Sequence, residues 1–205
     1  MQTESSHLIT AKLKDLRPTQ ITVGMAEVAA KIGKWKQFDG AEREAYLSDN
    51  WFPAVIGPRG NHYITDHHHL GLALIESHVK TVRLVVLKDL SSLHIKEFWM
   101  AMDHHDWVHP YNAKGHRDEF SAIPKKLTSL VDDPYRSLAD QVEKLGGYAK
   151  TDLPYVEFLW ADYFRHRIDL KSQPPAWSKA LAEALALAKD HGAKNLPGWC
   201  GVSGG

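Results

Sequence analysis

The chain has 205 residues, 43% of them hydrophobic and 24% charged, the balance of a folded protein with one domain, or one domain and a sizeable extension. Lysine plus arginine and aspartate plus glutamate both number 25, so the net charge is zero, which argues against duplex DNA as the main partner while leaving a local basic groove open. The single cysteine, Cys200, excludes an internal disulfide framework and a cysteine-rich zinc site and fits a reducing, cytoplasmic setting; no basic, apolar leader opens the chain, and no apolar run nears the ~18 residues a membrane span needs.

In chain order, PTQITV at 18–23 predicts a short strand carrying β-branched Ile21 and Val23. Val28, Ala29, Ile32, Trp35 and Phe38 recur at helical spacing, and 41–50 continues as a second short helix. A strand at 53–56, the turn GPRGN and the strand HYIT make a hairpin over 53–65. Residues 67–78 predict a helix, and TVRLVVLKDL at 81–90 predicts a strand whose Val/Leu run suits a buried position. A helix at 95–106 and a long polar loop at 108–124 follow. Asp133 caps a helix whose first residue is Pro134, and Gly146 and Gly147 stop it. Another helix covers 154–168, with Phe158, Leu159, Trp160 and Phe164 as its core residues. Pro174 and Pro175 break it before a last helix that ends at Gly192. The fold class is therefore α+β: a mixed α/β domain over 1–92, then an α-helical half over 93–205 expected to share a core with it.

The stretch TDHHHL at 65–70 concentrates the chemistry, and three readings of it stand side by side. In the first, Thr65 or Asp66 occupies the N-cap position and the helix starts at His67. The free N–H groups and partial positive charge of a helix's first turn favour a phosphate, with imidazoles as added donors. Asp66 could then hold a divalent ion that accompanies the phosphate. In the second, histidines bind a metal. Neighbours on a helix point ~100° apart, so His67, His68 and His69 cannot share one ion. Asp103, His105 and His109 are the better set, because His105 and His109 have i, i+4 spacing if the helix persists that far. In the third, the cluster is a solvated polar helix start and the surrounding elements are scaffold.

The stretches LRPTQ (16–20), FPAVIGPRGNHYITDHHHLGLAL (52–74) and VKTVRLVVLKDLS (79–91) resemble, in order and content, the N-terminal domain of the ParB/sulfiredoxin superfamily. RPTQ, DHHHL, EFW, WVHPY, DDPYRSL and EFLWADYFR extend the resemblance over about 16–168, to the group of ParB-like nucleases. The resemblance implies a ParB/sulfiredoxin-like small mixed sheet with helices. It implies nucleotide phosphates gripped at the helix start, by Asp66, His67, His68 and His69. His69 stands where the superfamily has arginine, so a bidentate phosphate clamp is lost. No helix-turn-helix reader of a partition protein is present. Glu27 stands where the free-serine kinases of the same superfamily place a carboxylate, so the resemblance makes it a candidate general base.

Around the motif, Arg17 could reach a phosphate and Gln20 a base or amide; both also read as loop surface. In the long loop, His109, Lys114 and Arg117 are candidate ligand contacts, and Lys114 or Arg117 could replace the missing arginine. The expected function is a phosphate-bearing ligand (a phosphorylated small molecule, a nucleotide or a nucleic acid) bound at Thr65–His69. Phosphodiester hydrolysis or phosphoryl transfer would be carried by His67, His68, Asp66 and Glu27, with magnesium or zinc as the expected cofactor. The alternatives are a non-catalytic nucleotide- or partner-binding module and a His/Asp metal-binding protein.

Overall fold

A computed structural model describes residues 7–170 and 174–201; residues 1–6, read above for a leader, lie outside them. The chain divides into two compact units. The first runs through Val23, then Val28–Asn112 and His116–Val131; the second comprises Gly24–Glu27, Ala113–Gly115 and the chain from Asp132. The change in composition near residue 92 is therefore not where the units divide.

The first unit is built on a four-stranded mixed sheet in the order β1-β5-β3-β4. β3 (Phe52–Gly57) and β4 (Asn61–Ile64) form the expected hairpin, antiparallel, with Ala54 opposite Ile64. Arg59 and Gly60 turn it at positive φ. β5 (Thr81–Asp89) runs parallel to β3 and antiparallel to β1 (His7–Lys12), a strand the hydrophobic pattern does not announce. The Val/Leu run of β5 is interior to the sheet, but only Val82 and Leu84 are buried and Val85–Leu87 are half-covered.

PTQITV does not form a continuous strand. Only Thr22–Val23, here β2, is extended ladder, beside β6 (Val131–Asp132), where Val131 N–H donates to the Ile21 carbonyl at 3.0 Å. Pro18 has no N–H to give a ladder. Around it, Arg17 N–H donates to the His62 carbonyl at 2.9 Å and Ile64 N–H to the Arg17 carbonyl at 3.0 Å, so the segment covers the edge of β4 locally.

α1 (Met25–Gln37) and α2 (Gly40–Asp49) follow the predicted helices, and Asp39 and Glu42 close a reciprocal capping box on α2. α3 (His68–Glu76) packs closely: a Cβ on Gly71 would stand 3.0 Å from the Leu127 side chain and 3.3 Å from the Phe52 ring. α4 (Ile95–His104) buries Phe98 and Met102 against Val55, Tyr63, Val108 and Ile123.

The second unit holds α5 (Pro134–Lys144), α6 (Val156–Arg165) and α7 (Pro174–Lys189). Tyr148 stacks on Trp160 at 4.3 Å, beside buried Leu138, Val142 and Phe164. Leu159, expected in the core, is 48% exposed; the buried face of α6 is set by Phe158, Trp160, Ala161 and Phe164. Buried Asp133 caps α5 by accepting from Tyr135 N–H and pairs with Arg165 at 2.5 Å.

Candidate functional site

The start of α3 is built differently from the expectation. Neither Thr65 nor Asp66 is the N-cap. Thr65 N–H and hydroxyl both donate to the Pro53 carbonyl, at 2.9 and 3.4 Å, so Thr65 completes the hairpin. The N-cap is His67, in the left-handed region with φ 64° and ψ 25°, and no side chain caps the helix. The His67 carbonyl accepts the Gly71 N–H at 2.8 Å, the first helical bond. Asp66 is exposed, and its Oδ1 accepts the His67 N–H at 2.5 Å.

The three imidazoles separate into distinct environments. The His67 ring is half-buried edge-to-face on Phe52, with centroids 5.7 Å apart. Its Nδ1 is buried and has no hydrogen-bond partner among the described residues, a rare condition in native proteins and one that points to a ligand or solvent partner. His68 is only 3% exposed. Its Nε2 accepts the Thr19 backbone N–H at 3.0 Å, while the Thr19 hydroxyl donates to the Ile64 carbonyl at 2.8 Å. Burial pushes His68 down to about 3, with Asp66 opposing the shift and His69 and His67 adding to it. His68 is thus a neutral imidazole with Nε2 unprotonated, fastening the RPTQ segment to α3. His69 is buried as well and engaged with its surroundings.

The remaining first-unit candidates fall into two places. Gln20 is buried, donates to the Thr22 carbonyl at 2.6 Å and bridges His109, whose N–H donates to the Thr19 carbonyl at 2.9 Å. The His109 ring stacks on Tyr111 at 4.3 Å. RPTQ and WVHPY therefore meet next to the His68 contact. Arg17 lies over Tyr63, 5.8 Å from the ring centroid. Burial pushes the Tyr63 phenol up and the Arg17 guanidinium pulls it back.

The metal set is not assembled. α4 ends at His104 and Asp106 turns the chain at φ 55°, so His105 and His109 do not share a helix face. His105 stacks on Trp107 at 4.4 Å, and Asp103 binds Arg117 through both carboxylate oxygens, at 2.9 and 3.0 Å. Among the described residues no three His, Cys, Asp or Glu side chains stand together as a metal-ligand group. Arg117, the expected stand-in arginine, is half exposed, tied to Asp103 and lies 5.1 Å over Phe120.

Glu27 and Lys114 belong to the second unit. There the Glu27 carboxylate faces Arg136 at 3.9 Å, and Glu157 faces it from α6 at the same distance. Asp162 pairs with Arg165 at 3.2 Å. Sequence reasoning missed Thr19 and Phe52, the two residues that hold His68 and His67. The threonine inside RPTQ, next to two candidate ligand contacts, was the available signal; nothing marked Phe52.

The model of the family described as "Putative ParB-like nuclease" matches residues 9–166. No curated protein matches the chain. Among solved structures, that of protein Atu1540 from Agrobacterium tumefaciens is 42% identical, with a TM-score of 0.91, over 97% of this chain and 99% of that one.

Proposed function

The chain belongs to the family described as "Putative ParB-like nuclease", and from that premise we propose that it binds a phosphate-bearing ligand, a nucleotide or a stretch of nucleic-acid backbone, at the start of α3 and hydrolyses a phosphodiester there. The observation that carries this reading is His67: a half-buried ring with an unpartnered buried Nδ1, at the uncapped N-terminus of a helix. The first-turn amides and the helix dipole supply the positive end that an anion seeks. His67 is the one motif histidine whose ring nitrogen is buried and unmatched, and a proton is what that nitrogen can give or take.

In the reaction, a water oxygen attacks phosphorus and its proton passes to the His67 imidazole. The ester P–O bond to the leaving alkoxide breaks, and the imidazolium returns the proton to that oxygen. His68, held neutral and spent on Thr19, acts as a positioning residue that fixes α3 against the RPTQ segment. Asp66 has one exposed carboxylate to offer. A magnesium ion is normally shared between one or two carboxylates and the ligand's own phosphates, so a divalent ion here would arrive with the phosphate; its role would be to spread the charge of the transferred group.

The assay is hydrolysis of bis(p-nitrophenyl) phosphate and of a labelled single-stranded oligonucleotide, with and without magnesium, by the intact protein and by His67→Ala. Loss of turnover by about a hundredfold or more in the variant supports catalysis at this ring. Equal turnover by the two proteins defeats it. Absence of turnover in both, with phosphate binding retained, favours the non-catalytic alternative.

A further inference from the structure

The opposite end of α3 carries a concave site. A cleft of about 580 Å³ is lined by Lys12 and Lys14, by Ile75 and His78 from the end of α3, by Val79 and Lys80 leading into β5, and by Thr81 at its start. That volume lies within the roughly 300–1,000 Å³ of small-molecule pockets. Two chain segments, 12–14 and 75–81, meet to make it, so it is a product of tertiary structure. Leu13 N–H donates to the Lys80 carbonyl at 2.9 Å and buries Leu13 completely, which leaves the flanking Lys12 and Lys14 side chains on the solvent side.

Its chemistry is one-sided. Three ammonium groups and an imidazole surround two aliphatic side chains, and no acidic residue lines the cleft. Among the described residues none of the three lysines forms an ion pair. Like charges gathered in a concave surface focus a positive field and repel one another until an anion arrives. The floor, Ile75 and Val79, offers nothing to hydrogen-bond and suits an apolar body. The closure of α3 adds to this. His78 N–H donates to the Ile75 carbonyl and Val79 N–H to the Leu74 carbonyl, a left-handed helix end at which glycine is usual. His78 holds that position at φ 62° and lines the cleft.

We infer that this cleft is a binding site for a small amphipathic anion, an aliphatic body bearing a phosphate or carboxylate head, with Lys12, Lys14 and Lys80 around the head and Ile75 and Val79 under the body. The site is independent of the chemistry proposed at His67.

The test is a calorimetric and NMR titration of the intact protein with n-octyl phosphate and with octanoate, below their aggregation concentrations, against octylamine, octanol and inorganic phosphate. At this cleft the two anions are expected to bind one equivalent each, read from the amide signals of residues 78–81, while binding at the start of α3 is read separately from residues 67–70. The amine, the alcohol and the free phosphate should bind about tenfold or more weakly, and Lys12→Glu with Lys80→Glu should weaken octyl phosphate by at least the same factor. The neutral pair Lys12→Gln and Lys80→Gln serves if the first does not fold, and His67→Ala should bind as the native chain does. Comparing the two anions tells which head is preferred. The proposal is overturned if octylamine binds as well as octyl phosphate, if inorganic phosphate alone accounts for the affinity, or if the lysine variants bind unchanged.

Discussion

Thr19 donates its backbone N–H to Nε2 of His68 across 3.0 Å, joining residues 49 positions apart in a site from which solvent is excluded. The contact explains why a histidine in the middle of the motif is buried and neutral. It also separates the three adjacent imidazoles into one that fastens α3, one that is packed inside, and one whose Nδ1 has no partner among the described residues.

Removing the acceptor should be costly. His68→Leu leaves the Thr19 N–H buried and unsatisfied, with an expected loss of about 1–3 kcal/mol in chemical denaturation. His68→Gln, whose side-chain carbonyl can accept the same N–H, should recover much of it. Equal stability of the two variants would show that the contact contributes little.

The same residue sets a pH dependence. The folded state holds His68 down at about 3, below the ordinary 6.5, so the unfolded chain binds the extra proton and stability rises with pH between those values. The contribution is fully present above about pH 6.5 and is lost as pH falls toward 3. The melting temperature of the native protein should decline on acidification from pH 7 to 4. In His68→Gln that decline should be shallower; parallel curves would contradict the assignment.

His67 combines a left-handed backbone with an unpartnered ring nitrogen, the kind of local cost that functional sites retain. Glycine adopts this conformation freely, and the left-handed region costs other residues roughly 1–2 kcal/mol, offset by the greater chain entropy glycine loses. His67→Gly is therefore expected to be as stable as the native protein or slightly more so while losing phosphate binding and turnover. A clear drop in melting temperature with activity retained would mark His67 as a structural residue.

Two acidic residues bonded to arginine should respond unequally. Asp103 pairs with Arg117 at a site where both are 45% exposed, so Asp103→Ala should change stability by less than about 1 kcal/mol. Asp133 is 1% exposed, caps α5 and holds Arg165. Asp133→Ala removes the cap and leaves the largely buried Arg165 guanidinium with Asp162 as its remaining ion pair, with an expected loss of about 2 kcal/mol or more. Urea unfolding of the two variants side by side measures the difference.

The hairpin, the central strand and the proline-started α5 were legible because each carries local signals: GPRGN, the Val/Leu run, and Asp133 before Pro134. β1 was not, because HLITAK pairs through its backbone with β5, turns only Ile9 and Ala11 inward, both half-buried, and leaves Leu8 56% exposed, too short and weak an alternation to stand out. The motif itself was found, but its helix start was misplaced by one residue. N-cap preferences favour Thr and Asp, whereas the hairpin claims Thr65 and the left-handed turn falls on His67. The end of α3 carries no glycine, since His78 takes that conformation instead. The i, i+4 metal spacing failed because the turn at Asp106 ends the helix geometry that the spacing assumed.

The most direct measurement is an NMR titration of the intact protein with inorganic phosphate, following the His67 ring and the backbone amides from His67 to Leu70. These signals should move together and saturate, and His67→Ala should weaken the binding that they report. If they stay in place while phosphate shifts only residues around Lys12 and Lys80, or none, the start of α3 is not an anion site and the proposed chemistry there is wrong.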